Sequence, residues 1–282
     1  MPESRDADLL GLEGRSVIVI GAGGDGIGTA ICGRLAAAGA HVIGVDREEE
    51  ALGQFERAVE RVGGEATSVV ADASDPEQAA RFLEPGRTTG GPHGLVNVVG
   101  GLPIDRWQRL LDYTDENLDA ILETNLRLAF RTSRAFARDC ADRGAGGSIV
   151  HIASIVAFEA MPFGAGYAMA KSALLSLTRT MALEWGPLGI RANAVAPGTI
   201  RVPRNQASDD AERDRKVLPL GRRGTPDDIA GAVLFLQSDL ATWITGQVVA
   251  VDGGASVKPS YVDETGLPVF VSDPALRARL LG

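Results

Sequence analysis

The chain has 282 residues, of which 45% are hydrophobic and 23% charged, and its formal net charge is −9. That acidic balance, with no lysine- or arginine-rich tract, excludes sequence-independent nucleic-acid binding, which relies on clustered cations to displace counterions. Two isolated cysteines fit neither a disulfide framework nor a zinc site, no run of about 18 apolar residues could cross a membrane, and the charged N-terminus has no signal-peptide core, so a cytoplasmic home is expected.

In chain order, the first strand is expected at SVIVI (16–20), followed by a glycine-rich turn and a helical stretch over 28–39. HVIGV (41–45) and a helix over 48–63 come next, then ATSVVA (66–71), a short helix over 76–84 and GLVNVV (94–99). A long helical stretch (114–144), SIVHIA (148–153), a second long helix (166–186), IRANAVA (190–196), a helix over 225–239 and QVVAV (247–251) complete the alternation. Continuous Val/Ile-rich runs suit parallel strands covered on both faces. The pattern predicts an α/β protein: one Rossmann-type domain over 12–254, a doubly wound parallel sheet of about seven strands with helices on both faces. Two segments fall outside it. Residues 201–224 are polar, charged and bounded by prolines, the marks of a mobile lid beside a site. The tail, 255–282, carries apolar islands (LPVF, LRARLL) in a polar context and is expected to dock at a subunit interface.

Between the first strand and first helix stand glycines 21, 23, 24, 26 and 28. Glycine permits the tight turn and lets backbone N–H groups approach a pyrophosphate at the positive end of the helix. Asp46 closes the second strand, 18 residues beyond Gly28. A carboxylate there would hydrogen-bond the adenine-ribose hydroxyls and repel a 2′-phosphate, so NAD is expected rather than NADP. Arg47 pulls the other way, because an arginine beside the ribose can accept that phosphate. Asp25 within the loop either aims outward or repels a third phosphate. Further on, Tyr167 and Lys171 lie four residues apart in a helical stretch and so share a face. An ammonium within ~4–6 Å stabilises a phenolate and brings a phenol of ordinary pKa ~10 toward general acid–base work.

The motifs form an ordered set: the glycine loop, AD at 71–72, NVVG at 97–100, TNL at 124–126, IAS at 152–154, YAMAK at 167–171, APGTI at 196–200 and VDGG at 251–254. Each alone is weak. Together, over residues 14–254, the chain resembles the short-chain dehydrogenase/reductase family. The resemblance implies a catalytic tetrad of Asn125, Ser154, Tyr167 and Lys171. Tyr167 would be the general acid–base, Lys171 would also grip the nicotinamide ribose, Ser154 would hydrogen-bond the substrate oxygen, and Asn125 would hold a relay water. The cofactor would be bound by Gly21, Gly24, Asp25, Gly26, Ile27, Asp46, Arg47, Asp72, Ala73, Asn97, Val98, Gly100, Pro197, Gly198, Thr199 and Ile200, together with Tyr167 and Lys171. Gly101, Leu102, Ile155, Val156, Phe158, Met161 and Phe163 would border the substrate. Most are apolar, which favours a secondary alcohol or ketone on an alicyclic or steroid-like frame.

The rival reading is an NADPH-dependent 3-oxoacyl thioester reductase, with Arg201, Arg204, Arg222 and Arg223 receiving an acidic carrier protein. A dinucleotide-sensing regulator without turnover is a remote third, disfavoured by the retained Tyr167 and Lys171. No metal is expected, since His41, His93 and His151 are scattered. The resemblance further implies a homotetramer built on the two long helical stretches. Three departures stand out. Four residues rather than three separate Gly21 from Gly26, implying a bulge around Gly23–Asp25; Val98 replaces a polar residue; and His151, where asparagine is common, reads as a hydrogen-bonded structural residue.

Overall fold

The computed structural model describes residues 9–203, 210–260, 262–263, 265 and 267–281. Its strands are β1 (Ser16–Ile20), β2 (His41–Asp46), β3 (Glu65–Val70), β4 (Pro92–Asn97), β5 (Gly147–Ile152), β6 (Ile190–Pro197) and β7 (Val248–Val251). They pair side by side in the order β3-β2-β1-β4-β5-β6-β7, every pair parallel. The chain builds outward from β1 in one direction, then returns to place β4 on the other side of β1. That reversal opens a crevice above the carboxyl ends of β1 and β4.

The inner strands are apolar because each is covered on both faces, whereas the edge strands β3 and β7 are more exposed. In β1, Val17 and Val19 join a core with Ile31, Leu35, Phe55, Ile229 and Val233, while Ile18 and Ile20 join another with Phe82, Phe136, Cys140 and Met181. Alternate residues thus feed opposite helical layers. One layer holds α1 (Ile27–Ala37), α2 (Glu49–Glu60) and, further along the chain, the helix Pro226–Gln237; the other holds α3 (Ala79–Arg87) and the two long helical stretches. The expected helix over 76–84 is split, with a 3-10 turn at Pro76–Gln78 capped by Asp75 before α3 begins.

The stretch 114–144 is not one regular helix. Thr114 caps α4 (Asp115–Leu122) through a bond from Asn117 N at 3.2 Å, a π turn occupies Glu123–Arg127, and α5 (Leu128–Arg143) ends on left-handed Gly144. A π turn is a one-residue insertion that widens the helix locally. The second long stretch is the continuous α6 (Ala165–Trp185).

The expected lid is partly a folded element. Within it, α7 (Ala211–Val217) is capped by Asp210, and Asp214 forms a buried ion pair with Arg223 at 2.9 Å. Backbone bonds join Arg201 N to Gly224 O and Gly224 N to Thr199 O. Residues 204–209, including Arg204, lie outside the described residues. Beyond the helix α8 (Pro226–Gln237) and β7, the tail makes an isolated bridge between Val262 and Pro268, an ion pair between Asp263 and Arg277 at 2.7 Å, and α9 (Pro274–Leu281).

Gly44 of β2 is where the sheet and its helical cover meet most closely: a Cβ there would lie 2.5–2.7 Å from the Phe55 ring. Gly44→Ala is expected to cost about 1–3 kcal/mol by overpacking. Gly231→Ala, on an α8 glycine with open space around its Cβ direction, should instead add about 0.5–1 kcal/mol. Urea midpoints of the two variants check both signs.

Candidate active site

A cleft of about 990 Å³ lies over the crevice, walled by the carboxyl ends of β1, β2, β4, β5 and β6. One end of it is made by the glycine loop. A side chain on Gly28 would overlap the Gly21 carbonyl, so only glycine lets α1 start this close to β1. The loop is tied to β2 and α2: Gly23 N donates to Asp46 Oδ2 at 3.2 Å and Gly24 N to Ala51 O at 3.2 Å. Thr29 Oγ1 ties the loop back to Ala22 O at 2.8 Å. α1 begins after Gly26 with no side-chain cap and no acidic residue in its first turn. Its leading N–H groups are therefore suited to an anion such as a pyrophosphate.

The wall beside the glycine loop, with Asp46, Glu48 and Asp72, is acidic. Asp46 is held by Gly23 N and by Glu48 N, the latter at 3.3 Å from Oδ1. The side chain of Arg47 is 75% exposed and pairs with Glu48 at 3.5 Å. The Ser74 hydroxyl (2.7 Å) and backbone N–H (2.9 Å) hold the Asp72 carboxyl below its usual range. Asp25, Ile27, Ala73, Val98, Pro197, Gly198, Thr199 and Ile200 also stand on the cleft wall.

At the other end, α6 brings Tyr167 and Lys171 to the wall one turn apart, beside Ser154. Lys171 is 2% exposed; its Nζ donates to Ile152 O at 2.9 Å and lies 5.6 Å from the centre of the Tyr167 ring. Burial pulls its pKa from 10.5 down to about 8. Ser154 starts a 3-10 turn over Ile155–Ala157 by accepting from Val156 N at 3.4 Å. Asn125 sits in the π turn, buried behind the wall. Its Oδ1 accepts from Gly101 N at 2.7 Å, and its Nδ2 donates to Gly101 O at 2.9 Å and Ile121 O at 3.1 Å. Its amide thus bonds both backbone groups of Gly101. Between these groups only glycine fits: a Cβ on Gly100 would lie 2.7 Å from Asn125 Oδ1 and 2.9 Å from Lys171 Nζ.

Other expected residues stand elsewhere. The Asn97 side chain does not line the cleft; it bonds Ser133 Oγ (3.1 Å), Thr132 Oγ1 (2.7 Å) and His151 Nδ1 (3.3 Å), bracing β4 against α5 and β5. His151 is fully buried, and desolvation, with Lys171 adding to it, lowers its pKa to about 3, so it is neutral. Of the substrate-facing set, Gly101 is on the wall. Leu102 and Met161 meet beside Gly164, and Ile155 and Val156 form the 3-10 turn. Phe158 and Phe163 are 49% and 56% exposed, Phe163 with a left-handed φ of 63°. None of Leu102, Ile155, Val156, Phe158, Met161 or Phe163 lines the cleft. Sequence reading missed Glu48, Ala51 and Gln54 of the α2 region, and Glu123, Thr124 and Leu128, which the π turn rotates onto the wall. The α2 set could have been found from its three-residue spacing; a π turn has no comparable signal.

Residues 21–256 match a family model described as enoyl-(acyl carrier protein) reductase. The chain is 37% identical over 252 residues to L-rhamnose 1-dehydrogenase (NAD(P)(+)) of Azotobacter vinelandii, covering 86% of this chain and 97% of that protein. It is 33% identical over 264 residues to 3beta-hydroxysteroid dehydrogenase 1 of Eggerthella lenta, covering 89% and 97% respectively. Among solved structures, 7 alpha-hydroxysteroid dehydrogenase complexed with NADH and 7-oxo glycochenodeoxycholic acid superposes with a TM-score of 0.80 at 31% identity, over 89% of this chain and 98% of that one.

The buried ammonium carries a stability consequence. Lys171 keeps its proton to pH 10.5 when unfolded but only to about 8 when folded, so the unfolded chain binds more protons between those values and stability rises with pH across that window. Below it, charge burial costs about 3 kcal/mol. Lys171→Met is therefore expected to be more stable than the parent at pH 7, by about 1–3 kcal/mol after the lost Ile152 bond is counted, with the gain shrinking toward pH 10. Denaturant titrations at the two pH values measure it.

Proposed function

The chain belongs to the short-chain dehydrogenase/reductase family, and from that premise we propose that it exchanges a hydride between NAD and a secondary alcohol or ketone on a mostly apolar, alicyclic or steroid-like frame, with Tyr167 as general acid–base. Its coarser description, an NAD(P)-dependent oxidoreductase of alcohol and ketone groups, follows from family membership. The observation that carries the reading is the buried Lys171 ammonium, between the Ile152 carbonyl and the Tyr167 ring, at the cleft end shared with Ser154.

A bound nicotinamide supplies or accepts the hydride. Tyr167 takes the hydroxyl proton in oxidation and returns it in reduction. Lys171 stabilises the phenolate that results, and does so most strongly in a site shielded from water. The Ser154 hydroxyl donates to the substrate oxygen as negative charge gathers there. Asn125 fixes Gly101, and through it the backbone that leaves room for Nζ. Lys171 also holds the nicotinamide ribose.

The cofactor preference rests on charge. Asp46, Asp25 and Glu48 stand on the wall, and Glu48 already offsets Arg47, so a 2′-phosphate would meet a negative field. For the substrate, Leu102, Ile155, Val156, Phe158, Met161 and Phe163 stand off the cleft wall but give the sequence around Ser154 an apolar character, in keeping with the steroid-type chemistry named for two of the relatives rather than the sugar chemistry named for the third. A carrier-protein surface is disfavoured, since Arg223 is buried against Asp214 and Arg222 is held bidentately by Asp228. We assign the protein to a cytoplasmic homotetramer. In support, β7 is a half-exposed sheet edge, Leu183 and Trp243 are 81% and 99% exposed, and the tail presents Val269, Phe270, Leu280 and Leu281.

Tyr167→Phe should lower kcat by about 10²–10⁴-fold while NADH still binds. Undiminished turnover of a cyclic ketone by that variant would overturn the acid–base assignment. The pH profile is a second check. The rate should fall as pH rises above about 8, where Lys171 loses its charge. Asp46→Ala should move preference toward NADPH, read as the ratio of kcat/KM values.

A further inference from the structure

A second hollow, of about 230 Å³, opens at the opposite edge of the sheet, where β1, β4, β5 and β6 begin. Arg15, His93, Ser148, Arg191, Gln237 and Asp239 give it a polar lining, and glycines supply much of the rest. Such a lining suits a polar ligand.

Its charges do not cancel. Arg15 is matched bidentately to Asp239, at 2.8 and 3.0 Å. Arg191, half-buried, has no such match among the described residues: its guanidinium meets only the Ile244 and Ser238 carbonyls, each at 3.4 Å. Those contacts are longer than well-formed N–H···O bonds, so its donor capacity is largely unspent. His93 Nδ1 accepts from Ser16 N at 3.3 Å, which leaves the ring proton of the neutral imidazole on Nε2 as another donor. Burial lowers the His93 pKa, and Arg15 and Arg143 lower it further, the mark of a positive field. The charged groups around the ring are Arg15 and Asp239, Arg191, and Arg143, itself paired with Asp139 at 2.7 Å.

We propose that this hollow is a binding site for a phosphate group, held by the Arg191 guanidinium and the His93 Nε2–H against the Arg15–Asp239 wall. Planar guanidinium forks suit phosphate oxygens, and the remaining volume accepts a few further heavy atoms of a small phosphate monoester. The same four strands end at the catalytic cleft, so this ligand would sit outside the cofactor site. Bound phosphate would favour the imidazolium, so binding must raise the His93 pKa.

The test uses the full chain saturated with NADH, which occupies the glycine loop. Inorganic phosphate and glycerol phosphate are titrated against chloride at constant ionic strength. The readouts are the melting temperature and the His93 ring resonance, assigned by its loss in His93→Gln. Saturable stabilisation, an upward His93 pKa shift, and affinity at least about tenfold weaker in Arg191→Gln are expected. Tighter binding of one probe identifies its source, free phosphate or a phosphorylated metabolite. Should Arg191→Gln fail to fold, the parent's His93 titration decides alone. An unmoved His93 resonance, or stabilisation that survives Arg191→Gln, overturns the proposal and leaves a water-filled hollow.

Discussion

Placing one ammonium in a dry site and keeping it charged is the constraint around which this fold is arranged. Lys171 projects from α6 into the space beneath the cleft, and burial alone brings its pKa down to about 8. A cation so placed needs an acceptor and room. The Ile152 carbonyl at the end of β5 provides the first, and the missing side chain of Gly100 provides the second. His151, one residue before that carbonyl, stays neutral because burial and the same ammonium both oppose its protonation. The charge then acts on the Tyr167 ring through a medium that screens it weakly.

The surroundings of that charge are set by a defect in a helix. A regular helix over 114–144 would give Asn125 ordinary helical geometry; the π turn instead seats it where its amide spans both backbone groups of Gly101 and reaches Ile121 O. The loop leaving β4 is thereby tied to the helical layer beneath it. A second tie, Asn97 to Thr132, Ser133 and His151, braces the strand itself. Buried polar groups of this kind are stabilising only when their partners are in place, which makes the arrangement specific.

Elsewhere around the cleft, the covering segment leans on the residues that follow β7. Leu220 N donates to Gly253 O at 3.1 Å, Gly254 packs on Pro219, and Lys258 Nζ reaches Lys216 O. Gly198 of the cleft wall lies directly against Asp252, which follows β7. The buried Asp214–Arg223 pair holds α7 from within. A segment that reads as loose and polar is thus partly anchored by charges whose pairing only folding brings about.

The sheet was legible from residues alone, because a strand covered on both faces must be apolar throughout; all seven runs were found with ends differing by no more than a few residues. The glycine loop, Asp46, and the Tyr167–Lys171 pair were legible too, since their spacing is local and each needs a particular residue type. Contacts between distant segments were not. Nothing in the string TNL marks a π turn, in which Asn125 meets Gly101, a residue 24 positions earlier. Asn97 looks like a cofactor contact until strand pairing turns its side chain toward α5, and Arg223 looks like a surface cation until Asp214 is folded onto it. Residue type and local spacing thus determined the architecture and the Tyr167–Lys171 pairing on one helical face. Tertiary packing alone decided which polar groups face the cleft and which are spent holding it together, because burial and partnership are properties of the folded chain.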